Sequence, residues 1–281
     1  MQIKNSNEIK EIVRQKYSEI ALQEKDTNMS SCCGSGGCST EVFNIMSDSY
    51  ETLEGYNPDA DLGLGCGIPT EFARISEGDM VLDLGSGAGN DAFVARNLTG
   101  AGGKVIGVDF TEAMIHKARA NTEKLKFHNV EFRYGDIEDL PVSDNSIDVV
   151  ISNCVLNLVP NKEKAFSEIF RVLHKGGHFS ISDVVLTGDL PDGLQKAAEM
   201  YAGCVAGAIQ KDLYIKTLEN TGFTNIKVQS SKPIIIPDDI LTNYLDAEQL
   251  AAYKKNKTVI LSITVYGEKA DTCCSPGGGC C

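Results

Sequence analysis

Three cysteines stand far apart in the chain, Cys66 in LGLGCGIP, Cys154 in ISNCVLNL and Cys204 in YAGCVAGAI, each inside a short apolar or glycine-rich stretch. Taken singly, each reads equally well as a small buried hydrophobe. Together they bracket a second feature, the run Asp83 to Gly89 with glycines at Gly85, Gly87 and Gly89, which follows the apolar stretch MVLDL and opens a helix. Glycines at such a strand-to-helix turn let backbone N–H groups approach a bound nucleotide. Soft thiolates prefer a soft, thiophilic partner. The combination points to a metalloid-type thiol site beside a nucleoside cofactor.

The elements that must position these residues follow a strand-helix rhythm from Met80 onward: MVLDL, a helix from about Asn90, KVIGVD, a helix from about Thr111, VEFRY, IDVVIS, and a helix over about Lys162 to Leu173 leading to HFSISDVV. Such alternation predicts an α/β fold, a parallel sheet with helices on both faces. The second strand ends in Asp109, about 20 residues beyond the glycine turn, where a carboxylate can accept hydrogen bonds from a ribose diol. Cys154 falls just after the fourth strand, at the carboxyl edge where ligands of open α/β sheets gather. Asn90 is placed to cap its helix, and Ser152 and Asn153 either orient the Cys154 loop or form a plain turn. NIKVQ and VILSITVYG supply the last strands.

Outside this rhythm, Ile9, Ile12, Val13, Tyr17 and Ile20 recur at helical spacing and predict an amphipathic helix over residues 5 to 23. The chain then divides into an N-terminal helix and thiol-bearing SSCCGSGGCS loop (1–47), a catalytic domain (48–230) with an inserted helical segment (187–222) that carries Cys204, a closing helix and strand (231–268), and a cysteine-rich tail (269–281).

A net charge of −13, with no basic stripe, argues against nucleic acid or an anionic membrane as partner. Residues 1–23 lack the continuous apolar region of a signal peptide, and no run approaches about 18 apolar residues. The ten cysteines are therefore expected to be cytoplasmic thiols rather than a disulfide framework.

The form D-x-G-x-G-x-G, with Gly135, Asp136 and Ile137 after the third strand, resembles class I S-adenosylmethionine-dependent methyltransferases more than NAD enzymes. That resemblance implies a Rossmann-like sheet and a cofactor set of Asp83, Gly85, Ser86, Gly87, Gly89, Asp109, Phe110, Met114, Asp136, Ile137 and Asn153, with Asp136 and Ile137 beside the adenine. Longer pieces between about residues 8 and 230, namely SCCG, LGCGIPT, VLDLGSGAGND, SNCVLNLVPNK and YAGCVAGA, resemble the smaller bacterial arsenite methyltransferases.

By that resemblance Cys66, Cys154 and Cys204 hold trivalent arsenic, S-adenosylmethionine supplies the methyl group, and arsenite or its thiol conjugates are the substrate. It further implies that protein thiols reduce the methylated arsenic and that thioredoxin or glutathione restores them. The fourth cysteine would come from Cys32, Cys33 or Cys38. An arsenic atom held by three sulfurs keeps a lone pair, so attack on a sulfonium methyl needs alignment rather than a base. His116, His128, His174 and His178 accordingly stand in no motif. The tail residues Cys273, Cys274, Cys280 and Cys281 could wrap one thiophilic ion, either to capture arsenite or simply as a soft-metal tail. Two other functions fit parts of the pattern: a quinone or sterol carbon methyltransferase, through RVLHKGGHFSISDV, and a thiol-based metalloid sensor or buffer.

Overall fold

Strands Met80–Leu84 (β1), Lys104–Asp109 (β2), Val130–Tyr134 (β3), Ile147–Asn153 (β4) and Leu173–Thr187 (β5) are rich in β-branched and apolar residues and pair in parallel, in the order β3-β2-β1-β4-β5. They belong to a computed structural model that describes residues 6–22, 48–196, 205, 207–236, 238–255 and 258–271. Ile209–Gln210 (β6) adds a short parallel pairing to β5. Phe223–Ile234 (β7) and Val259–Lys269 (β8) extend the sheet antiparallel as β5-β8-β7.

Successive strand residues feed opposite faces, because side chains alternate along a strand. Val81, Val105, Val149 and Ile151 pack with Phe93, Met114, Ile115 and Ala118 on one side. Leu82, Leu84, Ile106 and Val150 pack with Phe166, Ile169, Tyr214 and Leu218 on the other. Each fully buried Val, Leu, Ile, Phe or Met side chain among them contributes about 1.5–3 kcal/mol.

The helices are Ser6–Ala21 (α1), Pro69–Phe72 (α2), Asn90–Thr99 (α3), Glu112–Leu125 (α4), Lys162–Val172 (α5), Asp192–Lys196 (α6), Lys211–Thr221 (α7), Asp238–Leu241 (α8) and Ala247–Lys255 (α9). The predicted N-terminal helix is α1. It buries Val13 and Ile20, and Lys117 on α4 donates to the carbonyl of Ala21 at 3.3 Å. Helix α7 places Tyr214 edge-on to Phe166, ring centroids 5.3 Å apart, so this part of the 187–222 segment is a core helix covering the sheet. No described helix is long and apolar enough to cross a membrane.

Candidate active site

A cleft opens over the carboxyl ends of β1, β2 and β4, the crevice that parallel α/β sheets offer to ligands. Including its open mouth it holds about 870 Å³, within the range of small-molecule sites. Asp83, Gly85, Ser86 and Gly87 line it from the β1 turn, Asp109, Phe110 and Met114 from β2 and the start of α4, and Asn153 and Cys154 from β4.

Asp109 is fixed by two backbone donors, Gly87 N–H at 3.0 Å and Thr111 N–H at 2.8 Å. Gly87 has φ +51, and a Cβ there would meet nothing within 4 Å, so the turn leaves room for a ligand at its tip.

Buried carboxyl groups line the cleft. Burial holds the Asp83 carboxyl well above the ordinary carboxylate range, and the neighbouring Asp91 and Asp109 push it further. Burial also raises Asp109, and raises Asp91 to about 6 against the opposing hydrogen bonds from Tyr50 and Asn153. Buried oxygens without a protein partner line the same space: Asp83 Oδ2, Ser86 Oγ, Asn90 Oδ1 and Thr111 Oγ1. A nucleoside that carries cationic groups fits this set, since it would satisfy the orphaned acceptors and relieve carboxylate repulsion. Asn90 is not the cap that its position suggested. Gly89 is the N-cap of α3, Asn90 is the first helical residue, and its Oδ1 is left for the cleft. Gly89 itself serves packing, because a Cβ there would sit 2.8–2.9 Å from the Phe93 and Phe132 rings.

The thiol side of the cleft is built around one amide. Asn153 Oδ1 accepts from the Cys66 N–H at 3.0 Å, while Nδ2 faces Tyr50 Oη at 2.7 Å, the Gly67 carbonyl at 2.8 Å and Asp91 Oδ2 at 3.1 Å. Ser262 Oγ on β8 donates to the Cys66 carbonyl, so both peptide groups of Cys66 are tied down. The segment is also tightly approached: a Cβ on Gly65 would fall 2.6 Å from Asn153 Nδ2, and one on Gly67 would fall 2.6 Å from Ser182 Oγ.

Cys154 has φ +60, an uncommon backbone for a residue with a side chain, held by donation of its N–H to the Ser182 carbonyl at 2.7 Å. Both cysteines are thiols, buried in one apolar cluster that includes Val205, the residue after Cys204. Cys66 is 1% exposed. Cys204, Cys32, Cys33, Cys38, Cys273, Cys274, Cys280 and Cys281 lie outside the described residues.

A methyltransferase-domain profile matches residues 75–222. An arsenite methyltransferase of Aquipseudomonas alcaligenes is 33% identical over 84% of this chain and 68% of its own length. This chain belongs to the arsenite methyltransferase family. A second member, from Halobacterium salinarum, is 44% identical over 80% of this chain, which spans 60% of that relative's length. The crystal structure of an arsenic(III) S-adenosylmethionine methyltransferase from Chlamydomonas reinhardtii superposes with a TM-score of 0.63 at 36% identity, covering 76% of this chain and 68% of that one. The fold is that of class I S-adenosylmethionine-dependent methyltransferases.

Within this family member, sequence reasoning missed what the N-terminal helix contributes. Val13 and Tyr17 of α1 line the cleft, and Lys10 Nζ lies 2.6 Å from Asp136 Oδ2 and 2.8 Å from Glu138 Oε2. Asp136 and Ile137 therefore do not line the main cleft. With Lys10, Phe110, Val155 and Leu158 they line a smaller apolar recess that continues from it. Tyr50, which closes the network around Asn153, carried no motif that would have marked it.

Proposed function

We propose that this protein methylates trivalent arsenic, with S-adenosylmethionine as methyl donor and Cys66, Cys154 and Cys204 as the thiolates that hold the substrate. The carrying observation is the Asn153 amide, which joins the Cys66 backbone to the strand end bearing Cys154 beside a cleft suited to a cationic nucleoside. Burial of Val205 in the thiol cluster supports Cys204 as the third ligand.

Bound at the glycine turn, S-adenosylmethionine supplies an electrophilic methyl on a sulfonium sulfur. Asp109 would accept from the ribose hydroxyls, Asp91 would offer negative charge to the cationic end beside the Asp83 carboxyl, and the recess at Asp136 and Ile137 would receive the adenine. The three cysteines would hold arsenic as a pyramidal trithiolate with its lone pair free to take the methyl group that S-adenosylmethionine supplies, S-adenosylhomocysteine being the leaving group. None of the described lining residues is a histidine, and this reaction has no proton to remove. Arsenic leaves the transfer step pentavalent. The thiol of Cys32, Cys33 or Cys38 loses its proton and attacks the Cys66 sulfur; the S–S bond forms as the As–S bond to Cys66 breaks, its electron pair stays on arsenic and returns it to the trivalent state on Cys154 and Cys204, and thioredoxin or glutathione reopens the disulfide. The tail cysteines Cys273, Cys274, Cys280 and Cys281 capture dilute arsenite for transfer inward.

The test is methyl transfer from labelled S-adenosylmethionine to arsenite with thioredoxin and glutathione present, and with products separated by methyl count. Methylated arsenic is expected, and C154S should abolish it. Turnover of a quinone with no arsenic product would favour the carbon-methylating alternative. Stoichiometric arsenite binding without turnover would favour a buffer.

A further inference from the structure

Tyr50 is a buried group that neither the cofactor set nor the thiol set accounts for. It is 3% exposed, and its hydroxyl lies 2.7 Å from Asp91 Oδ1, 2.7 Å from Asn153 Nδ2 and 3.1 Å from the Gly67 carbonyl. Each of these neighbours belongs to a different part of the site. Asp91 lines the cofactor cleft on α3, Asn153 ends β4 next to Cys154, and Gly67 follows Cys66.

The donors and acceptors of this cluster are mismatched. The Tyr50 hydroxyl has one proton and the Asn153 amide two, and they face both Asp91 oxygens, the Gly67 carbonyl and the Tyr50 oxygen. The Asp91 carboxylate is the strongest acceptor in this cluster and draws these protons toward itself. A cation entering the cleft offsets the Asp91 charge, and the Tyr50 and Asn153 protons then redistribute toward the Gly67 carbonyl. That carbonyl belongs to the segment whose adjoining peptide groups are anchored by Asn153 and Ser262.

Resting on the arsenite reading above, we infer that Tyr50 is a positioning residue that couples occupancy of the cofactor cleft to the geometry of the Cys66 loop, so that a cationic cofactor and the thiol-bound substrate strengthen each other's binding. The coupling is reciprocal, as any linkage between two binding sites must be.

The experiment uses the full chain with sinefungin, a cationic cofactor analogue that has no transferable methyl. Arsenite is titrated with and without saturating sinefungin, and arsenic–thiolate absorption in the near ultraviolet is followed. In the unmodified protein sinefungin is expected to tighten arsenite binding by about 5-fold or more. Tyr50→Phe keeps the ring and removes only the hydroxyl, and should bring that ratio to within about 2-fold of unity while sinefungin still binds. Asp91→Asn, which keeps the shape and removes the charge, should abolish the coupling too. A merely structural role for Tyr50 would lower thermal stability and leave the ratio intact. The inference is overturned by an unmodified ratio of one, or by a Tyr50→Phe ratio equal to the unmodified one. Absence of any arsenic–thiolate band in the unmodified protein would instead sink the arsenite reading, and the inference with it.

Discussion

The backbone N–H of Cys66 donates to Asn153 Oδ1 at 3.0 Å, and Asn153 is the residue to which Cys154 is covalently joined. One side chain thus sets the spacing between two cysteines that are 88 positions apart in the sequence, 66 and 154. Asn153→Ala removes that tie together with the Nδ2 contacts to Tyr50, Gly67 and Asp91. At about 0.5–1.5 kcal/mol per net hydrogen bond, stability should fall by about 2–4 kcal/mol. Arsenite methylation should fall by about 100-fold or more, since a displacement of about 1 Å of a reacting group has that effect. Thermal melts and a methyl-transfer assay read the two separately, and a variant with full activity would remove Asn153 from this role.

Gly67→Ala tests the close approach on the other side of Cys66. The new methyl would lie 2.6 Å from Ser182 Oγ, which is itself held 2.8 Å from Thr264 Oγ1 on β8. Neither partner can yield without disturbing the β5-β8 pairing, so overpacking should cost about 1–3 kcal/mol. The strain falls on the peptide next to Cys66, so the KM for arsenite should rise while the dissociation constant for S-adenosylhomocysteine stays within about 2-fold. Equal weakening of both would mean that the cleft, not the thiol loop, absorbs the strain.

The parallel sheet was legible in the sequence because β1, β2 and β4 are largely apolar runs and helical periodicity follows β1 and β2, and the cofactor cleft because Gly87 lies in the turn after one such strand and Asp109 ends the next. The thiol site was legible only as residue types. Nothing in the spacing of Cys66 and Cys154 encodes the Asn153 amide that joins them, because that contact spans 87 positions and depends on strand order. Tyr50 was invisible for the same reason, its partners lying 17, 41 and 103 residues away. Asn90 misled because a side chain suited to capping sat one position inside the helix, after a glycine whose φ of 101° ends the turn. The ion pairs of Lys10 with Asp136 and Glu138 gave no local signal, since they tie α1 to a segment more than 120 positions on.

Those ion pairs carry their own prediction. Lys10→Met keeps the aliphatic stem of α1 but frees Asp136 and Glu138, and so loosens the helix that brings Val13 and Tyr17 over the cleft. Partly exposed pairs contribute at most about 1 kcal/mol each. The dissociation constant for S-adenosylhomocysteine should therefore rise about 3- to 10-fold. Calorimetric titration measures it, and an unchanged or tighter constant would show that α1 does not hold the cleft closed.

Deleting residues 271–281 separates substrate capture from catalysis. If Cys273, Cys274, Cys280 and Cys281 deliver arsenite, the truncated protein should show a KM for arsenite raised about 5-fold or more with kcat unchanged. The core contributes every described cleft residue and is untouched by the truncation. Loss of kcat at saturating arsenite would give the tail a part in the chemistry instead.

Asp183 gives the chain a pH dependence unrelated to its ligands. The carboxyl is fully buried on β5, and that burial raises its pKa to about 7, against the opposing influence of Lys162, the Val184 N–H and the Tyr214 hydroxyl. In the unfolded chain an aspartate titrates near pH 4. Between about pH 4 and pH 7 the folded protein therefore keeps a proton that the unfolded chain has released, so stability must fall as pH rises through this window and level off above it. The loss should be on the order of 2–4 kcal/mol. Asp183→Asn, uncharged at every pH, should flatten this part of the stability curve. The cleft carboxyls Asp83, Asp91 and Asp109 add falls of the same sign, that of Asp91 between about pH 4 and pH 6, but a cationic ligand in the cleft should suppress these components and leave that of Asp183. Denaturant titrations from pH 4 to 8, with and without sinefungin, separate the cleft carboxyls from Asp183. A slope in Asp183→Asn equal to that of the unmodified protein would mean that Asp183 is ionised in the fold throughout.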